Sequence, residues 1–163
     1  QFGQHSPVIP VYLHKDDKGS RALLLTTDAP AFDPTTYTGF RNVGLRFCVS
    51  PVGTPATPDP LYVYRKRVGD AIDHVYTTKP DEMGTKVTGQ VGRREYVCMG
   101  VMGFVRRPDC VMRSQGGLGE IYLWYSKQAK LHVYSRDKTV GDRLTGGYEF
   151  KGVMAYTVPC QMF

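Results

Sequence analysis

Alternating aliphatic and polar-tipped residues occur three times along the chain, and each time they open a similar series of segments. The opening segments are residues 11–14, 61–64 and 121–124. A period of two places the aliphatic side chains on one face of a β-strand and the aromatic or histidine side chains on the other. The pattern predicts one supersecondary unit used three times, each copy unable to bury its apolar face alone.

The segments after each opening strand are repeated as well. Beyond a polar turn, a second apolar segment predicts a strand at residues 23–27, 74–78 and 132–136. A third segment runs from an aromatic residue to a glycine at 40–44, 96–100 and 148–152, and a fourth follows at once, as at 101–105. The glycine indicates a turn or bulge that a side chain would obstruct.

Four short strands per repeat, with almost no helical periodicity, predict an all-β fold. Twelve strands with three-fold pseudosymmetry is the strand count of a β-trefoil. We therefore predict a β-trefoil with three pseudo-repeats of four strands, with a small propeller-like or sandwich arrangement as the alternative. The 163 residues suit a single domain, 1–163, with repeats at about 8–52, 60–109 and 119–160.

The net charge of +6 is concentrated in the second repeat, where residues 61–113 hold ten Lys and Arg against six Asp and Glu. This excess would attract sulfated glycans or anionic lipid, although it would equally serve as a solubilising surface. We expect no nucleic-acid partner, because no recognition-helix, zinc-finger or aromatic-basic RNA signature accompanies the charge. We also expect no transmembrane segment, because no run of about 18 apolar residues occurs.

The chain begins with Gln rather than Met, which predicts a processed, secreted protein in an extracellular setting. Its four cysteines allow three pairings. None has the spacing of a zinc ligand set, so we expect neither a metal nor another cofactor. Cys110 and Cys160 each follow the last strand of a repeat, and we favour a disulfide between them, which leaves Cys48 with Cys98. Four buried free thiols are the alternative.

The second repeat contains LYVYRKRVGDAIDHVYTTKPDEMG, followed by YVCMGVMGFV. This sequence resembles a tandem repeat family of unknown function whose members follow the pattern LYxYY…DHFYTT…GYxYEGxxGYV. Matching positions include Tyr62, Asp73, His74 and Tyr96, whereas the third repeat has Leu131 in place of the aspartate. The resemblance implies a lectin-like extracellular or cell-surface module, used in tandem beside other binding domains. It implies no reaction.

Aromatic and polar side chains near the opening strands form the predicted ligand site. Sugars present apolar C–H faces and hydroxyl edges, so their sites combine a stacking ring with hydrogen-bonding side chains. We predict ligand-binding roles for Tyr62, Tyr64, Asp73, His74, Tyr122, Trp124 and His132. The alternative is that these rings form the wall of the fold and bond to backbone groups.

Asp73 and His74 are the most specific pair in the sequence. Adjacent residues of a strand point to opposite faces, so they cannot form a hydrogen-bonded acid–base couple with each other. The pair therefore favours a structural or ligand-binding role over catalysis. Because it is complete only in the second repeat, we expect unequal pockets and a larger binding loss for a change at His74 than at His132.

These observations predict a secreted carbohydrate-binding module with up to three pockets, whose partners are glycans or glycoproteins, anionic ones included. One alternative is a protease inhibitor or other protein-binding trefoil that uses exposed arginines in the segment 79–95 or at Arg106 and Arg107. Another is a structural or defence matrix protein that self-associates into homo-oligomers. We expect no enzymatic activity, because neither a matched acid–base couple nor a known catalytic motif is present.

Overall fold

The computed structural model of the chain describes residues 8–16, 22–25, 40–69, 71–109, 118–144 and 146–160. Within these ranges the fold is all-β. The strands are β1 Ile9–Asp16, β2 Ala22–Leu25, β3 Phe40–Val49, β4 Asp59–Val68, β5 Ala71–Thr77, β6 Val97–Val105, β7 Gly119–Ser126, β8 Leu131–Ser135 and β9 Tyr148–Thr157. Three short 3-10 helices, Pro80–Met83, Arg93–Glu95 and Lys138–Arg143, lie between strands.

The strands form three antiparallel sheets of identical topology, in the orders β2-β1-β3, β5-β4-β6 and β8-β7-β9. Each sheet therefore has the opening strand of one repeat at its centre. The register slips at the same two places in every sheet, for example between Leu61 and Tyr62 and between Val63 and Tyr64. The repeated sequence pattern thus corresponds to one supersecondary unit built three times.

The predicted division into third and fourth strands is wrong. The segments form one continuous strand, β6 or β9, which passes through Gly100 or Gly152. Both glycines have a φ of 102°, a conformation that favours glycine, and the register slips beside them. The glycine therefore marks a β-bulge within a strand, and each repeat has three strands, which makes nine in the described ranges.

Equivalent positions of the three repeats meet in the hydrophobic core. Val11, Leu61 and Ile121 occupy the same register position and are all fully buried. The core cluster also contains Phe47, Val49, Val63, Tyr76, Met102, Val105, Tyr134, Met154 and Ala155. No repeat can bury this surface by itself, so the packing of all three repeats together provides the core.

The repeats are joined in sequence order by short backbone pairings. Ser50, just after β3, exchanges two backbone hydrogen bonds with Phe104, the penultimate residue of β6. Arg106, just after β6, pairs in the same way with Tyr156 of β9. In both cases the residue that follows the last strand of one repeat pairs with the penultimate residue of the last strand of the next repeat.

A disulfide between Cys48 and Cys160 joins the third repeat to the first. The expected bridge from Cys110 to Cys160 is therefore wrong, and so is the pairing of Cys48 with Cys98, which is a buried free thiol. Cys110 itself lies outside the described residues. The bridge joins Cys48, within β3, to Cys160, after β9, so it links non-equivalent positions of two repeats, whereas the expectation paired two equivalent ones.

Candidate functional site

The structure separates the predicted site residues into a buried and a half-buried group. Tyr64, Asp73, His74 and Trp124 are buried, whereas Tyr62, Tyr122 and His132 are partly accessible. The predicted set does not form one continuous surface. Asp73 and His132 come together between the second and third repeats, while the remaining aromatic residues pack within their own sheets.

Tyr64 is part of the wall of the second repeat. Its ring stacks on Tyr62 with 6.5 Å between centroids, and its hydroxyl donates to the carbonyl of Thr85 at 2.6 Å. Burial is the main cause that raises the pKa of Tyr64, with Cys98 contributing. Thr85 lies in the long connection of the second repeat, which therefore covers this ring.

Trp124 is the corresponding residue of the third repeat, and it contacts Tyr122 and the exposed ring of Phe150 at centroid distances of 6.2 and 5.5 Å. The Lys138 ammonium group lies 5.8 Å from the ring centroid of Tyr122 and 5.3 Å from that of Phe150. The 3-10 helix Lys138–Arg143 packs over the indole, since a Cβ at Gly141 would lie 2.5 Å from Trp124 Nε1. Trp124 is therefore buried, whereas the neighbouring ring of Phe150 is exposed.

His74 is a core histidine of β5. Burial lowers its pKa to about 4, partly opposed by the charge of Asp73 and reinforced by Arg65. Its ring stacks on Tyr76 with 6.3 Å between centroids. His74 therefore remains neutral at physiological pH and contributes to the packing of the second repeat.

Asp73 holds His132 across the junction of the second and third repeats. Asp73, on β5, is 1% exposed, and its Oδ1 accepts from the backbone N–H of His132 at 2.7 Å. Its Oδ2 lies 2.7 Å from His132 Nδ1 and accepts from the Tyr96 hydroxyl at 2.6 Å. Asp73 therefore pairs with a histidine of another repeat, which the adjacent pair Asp73 and His74 did not indicate.

These contacts fix the chemistry of the His132 ring. A carboxylate can only accept, so Nδ1 carries the proton of this hydrogen bond, and Nε2 is the ring nitrogen left for a ligand, as an acceptor when the ring is neutral. Tyr125, the cross-strand neighbour of His132, packs its ring 4.5 Å from the imidazole between centroids. Burial and the charge of Asp73 raise the pKa of Tyr96, which keeps its hydroxyl protonated as a donor.

His132 lines a cavity of about 400 Å³ at this junction. Its side chain is 20% exposed, in contrast to the buried Asp73 behind it. The wall includes aromatic residues and charged residues: Tyr76, Tyr96, Tyr125, Tyr134, Lys66, Glu82, Arg94 and Lys130. Volumes of roughly 300–1,000 Å³ are typical of small-molecule sites, so this cavity can admit a small ligand or one residue of a larger one.

Several residues of this cavity were missed by sequence reasoning. Tyr96 matches the repeat pattern but was assigned only to the start of a strand. Tyr125 directly follows the predicted aromatic strand and points to the face opposite Trp124, so the period of two gave a usable signal. Lys130, the last residue of the β7–β8 turn, also lines the cavity, and no sequence signal had assigned it to a site.

Of the arginines that the protein-binding alternative requires to be exposed, some are exposed and one is buried. Arg106 is 7% exposed, and its guanidinium donates to the carbonyls of Ala56 at 3.0 Å and Pro55 at 2.8 Å. It therefore fastens the connection between the first two repeats, and the prediction that it is an exposed contact residue is wrong. Arg94 is exposed, as that alternative expects. Its backbone is left-handed, with a φ of 54°.

In the part of the chain that the structure describes, no helix is both long and apolar enough to cross a membrane. The longest 3-10 helix, Lys138–Arg143, has six residues. Those same ranges hold no group of three or more His, Cys, Asp and Glu side chains placed to bind a metal ion.

The family comparison covers the two repeats that build this cavity. Residues 63–162 match the model described as "Domain of unknown function (DUF5648)", and the chain belongs to that family. Comparisons with curated proteins and with solved structures give no match. The matched segment contains Asp73, Tyr96, Tyr125 and His132, so the whole junction lies within the family domain.

Proposed function

We propose that this protein is a carbohydrate-binding module whose main site is the cavity between the second and third repeats. The single observation that carries the proposal is the fixed imidazole of His132, held by the buried carboxylate of Asp73 beside the ring of Tyr125. The proposed activity is binding without catalysis.

The chemistry of this arrangement suits a sugar. A sugar hydroxyl can donate to His132 Nε2, and the C–H face of the ring can pack against Tyr125. Because Asp73 bonds both the backbone and the ring of His132, little side-chain freedom is lost when a ligand binds. The aromatic group around Phe150 differs in that its charged neighbour is Lys138, which lies near the rings of Tyr122 and Phe150.

We also propose that the three sheets surround a pseudo-three-fold axis, as the repeats of a β-trefoil do. The supporting contacts link equivalent strands: β2, β5 and β8 contact one another, and so do β3, β6 and β9. In this arrangement each junction between repeats could hold a pocket. The pockets would be unequal, because the third repeat has Leu131 in place of Asp73 and the first has Ala22 in place of His132.

An extracellular setting is part of the same proposal. The Cys48–Cys160 disulfide supports it, because disulfides persist in oxidising compartments and are rare in the cytosol. Glycans and glycoproteins are the partners that such a setting would offer.

A glycan array followed by calorimetry tests the proposal. We expect His132→Ala to reduce affinity at least tenfold, because it removes the fixed acceptor, and Asp73→Asn to weaken binding less. Tyr122→Phe is the control, since its hydroxyl bonds to Glu120 outside the cavity and its loss should leave affinity unchanged. In contrast to the sequence-based ranking, we now expect a change at His132 to cost more affinity than one at His74, because His74 is buried. Absence of binding to every glycan, or equal affinity of His132→Ala and wild type, would overturn the proposal.

A further inference from the structure

Two basic residues of the cavity wall have an unfavourable backbone conformation. Among the described residues other than glycine, only Arg94, Glu95 and Lys130 have a positive φ, of 54°, 68° and 59°. Arg94 and Lys130 both line the cavity, and Glu95 is adjacent to Arg94. The left-handed backbone is strained for residues that have a Cβ atom, whereas glycine adopts it freely and asparagine more readily than most residues.

The local structure alone does not call for a basic side chain at either position. Lys130 ends the β7–β8 turn, where its backbone N–H donates to the carbonyl of Ser126 at 2.7 Å. Glycine would form the same hydrogen bond in the same conformation with less strain. Strained residues cluster where ligands bind, so the two side chains point to a role for their charge.

The charges around the cavity favour an anion. Lys66, Arg94 and Lys130 line it, and Glu82 is the only carboxylate among its lining residues. Within the described ranges, none of the three cations forms an ion pair. The Lys66 ammonium group instead lies 5.3 Å from the ring centroid of Tyr96. The three cations are therefore available to a ligand.

We infer that the cavity selects an acidic saccharide, one whose carboxylate or sulfate lies against Lys66, Arg94 and Lys130 while its hydroxyls reach His132. This inference rests on the proposed function and adds the substrate class. Arginine binds such planar or tetrahedral anions through two parallel hydrogen bonds, and lysine supplies a point charge. Two of the three cations, Lys66 and Arg94, belong to the second repeat, where the basic excess lies.

The decisive variants remove a positive charge from the cavity wall and at the same time relieve the strain of the left-handed backbone. Lys130→Gly and Arg94→Gly should fold at least as stably as wild type, because glycine suits both backbones. Lys127→Gln is the matched control, since it removes one positive charge from the same turn at a residue that does not line the cavity. Thermal unfolding of all four proteins checks that binding losses are not folding losses.

Calorimetry should compare a heparin tetrasaccharide, trigalacturonate and neutral maltotriose. We expect one or both acidic probes to bind more tightly than maltotriose, and Lys130→Gly or Arg94→Gly to lose about three- to tenfold in acidic-probe affinity. Lys127→Gln should stay within about twofold. Raising the salt concentration should weaken binding of the acidic probes but not of a neutral one. The sulfated and carboxylated probes separate the two sources of anionic charge.

The outcomes distinguish this inference from the proposed function. If maltotriose or another neutral glycan binds through His132 and the glycine variants bind as wild type, the anionic inference is overturned and the module remains a lectin. If acidic probes bind, Lys130→Gly and Lys127→Gln lose affinity equally and His132→Ala binds as wild type, the binding is surface attraction and both fail. A loss confined to the cavity variants supports both.

Discussion

Lowering the pH should destabilise this protein through His74. Burial lowers the pKa of His74 from 6.5 to about 4, so the folded state holds a neutral ring that the unfolded chain would protonate first. The contribution of the neutral His74 ring to the free energy of unfolding is fully present above pH 6.5 and is lost as the pH falls from 6.5 towards 4. A pKa difference of this size corresponds to about 3 kcal/mol in the free energy of unfolding.

The test is urea unfolding at several pH values between 4 and 7.5, followed by the fluorescence of the single tryptophan, Trp124. The matched variant His74→Gln keeps a polar side chain but cannot be protonated. The other titratable groups are the same in both proteins, so the difference between the two unfolding free energies isolates His74. We expect wild type to lose about 3 kcal/mol relative to His74→Gln across this range.

A constant difference between the two proteins, within about 0.5 kcal/mol, would refute the reasoning. It would mean that water reaches the imidazole or that Asp73 offsets the loss of hydration. An NMR titration of the imidazole gives an independent check, because the ring should stay neutral at pH 5 in the folded protein.

Two further predictions concern packing and covalent structure. Gly141→Ala should lower the free energy of unfolding by about 1–3 kcal/mol and shift Trp124 fluorescence, because its Cβ would lie 2.5 Å from the indole nitrogen. Gly53→Ala is the control, since its Cβ would meet only ordinary contacts of 3.5 Å or more. Replacing Cys48 and Cys160 together with alanine should lower the free energy of unfolding by about 2–4 kcal/mol, measured by urea unfolding. Mass spectrometry of unreduced peptides should find these two cysteines linked, and a link from Cys160 to any other cysteine would contradict the structure.

The sequence by itself determined the repeat and the all-β character of the chain. The alternating residues of β4 and β7 predict strands with one aliphatic face. In the structure these two strands and their equivalent β1 are the central strands of the three sheets. The number of strands could not be predicted from the sequence, because a glycine is equally compatible with a turn between two strands and with a bulge inside one strand. Only the pairing of Gly100 opposite Val63 shows that the strand continues.

Only the tertiary structure decided which residues form the candidate site. Whether Tyr64 faces solvent depends on the Thr85 carbonyl, 21 residues along the chain. The partner of Asp73 is His132, 59 residues away, and it is brought there by the packing of one repeat on the next. A period of two specifies the face of a strand on which a side chain lies. It does not specify which other strand meets that face, because this depends on how the apolar surfaces of all three repeats are buried together.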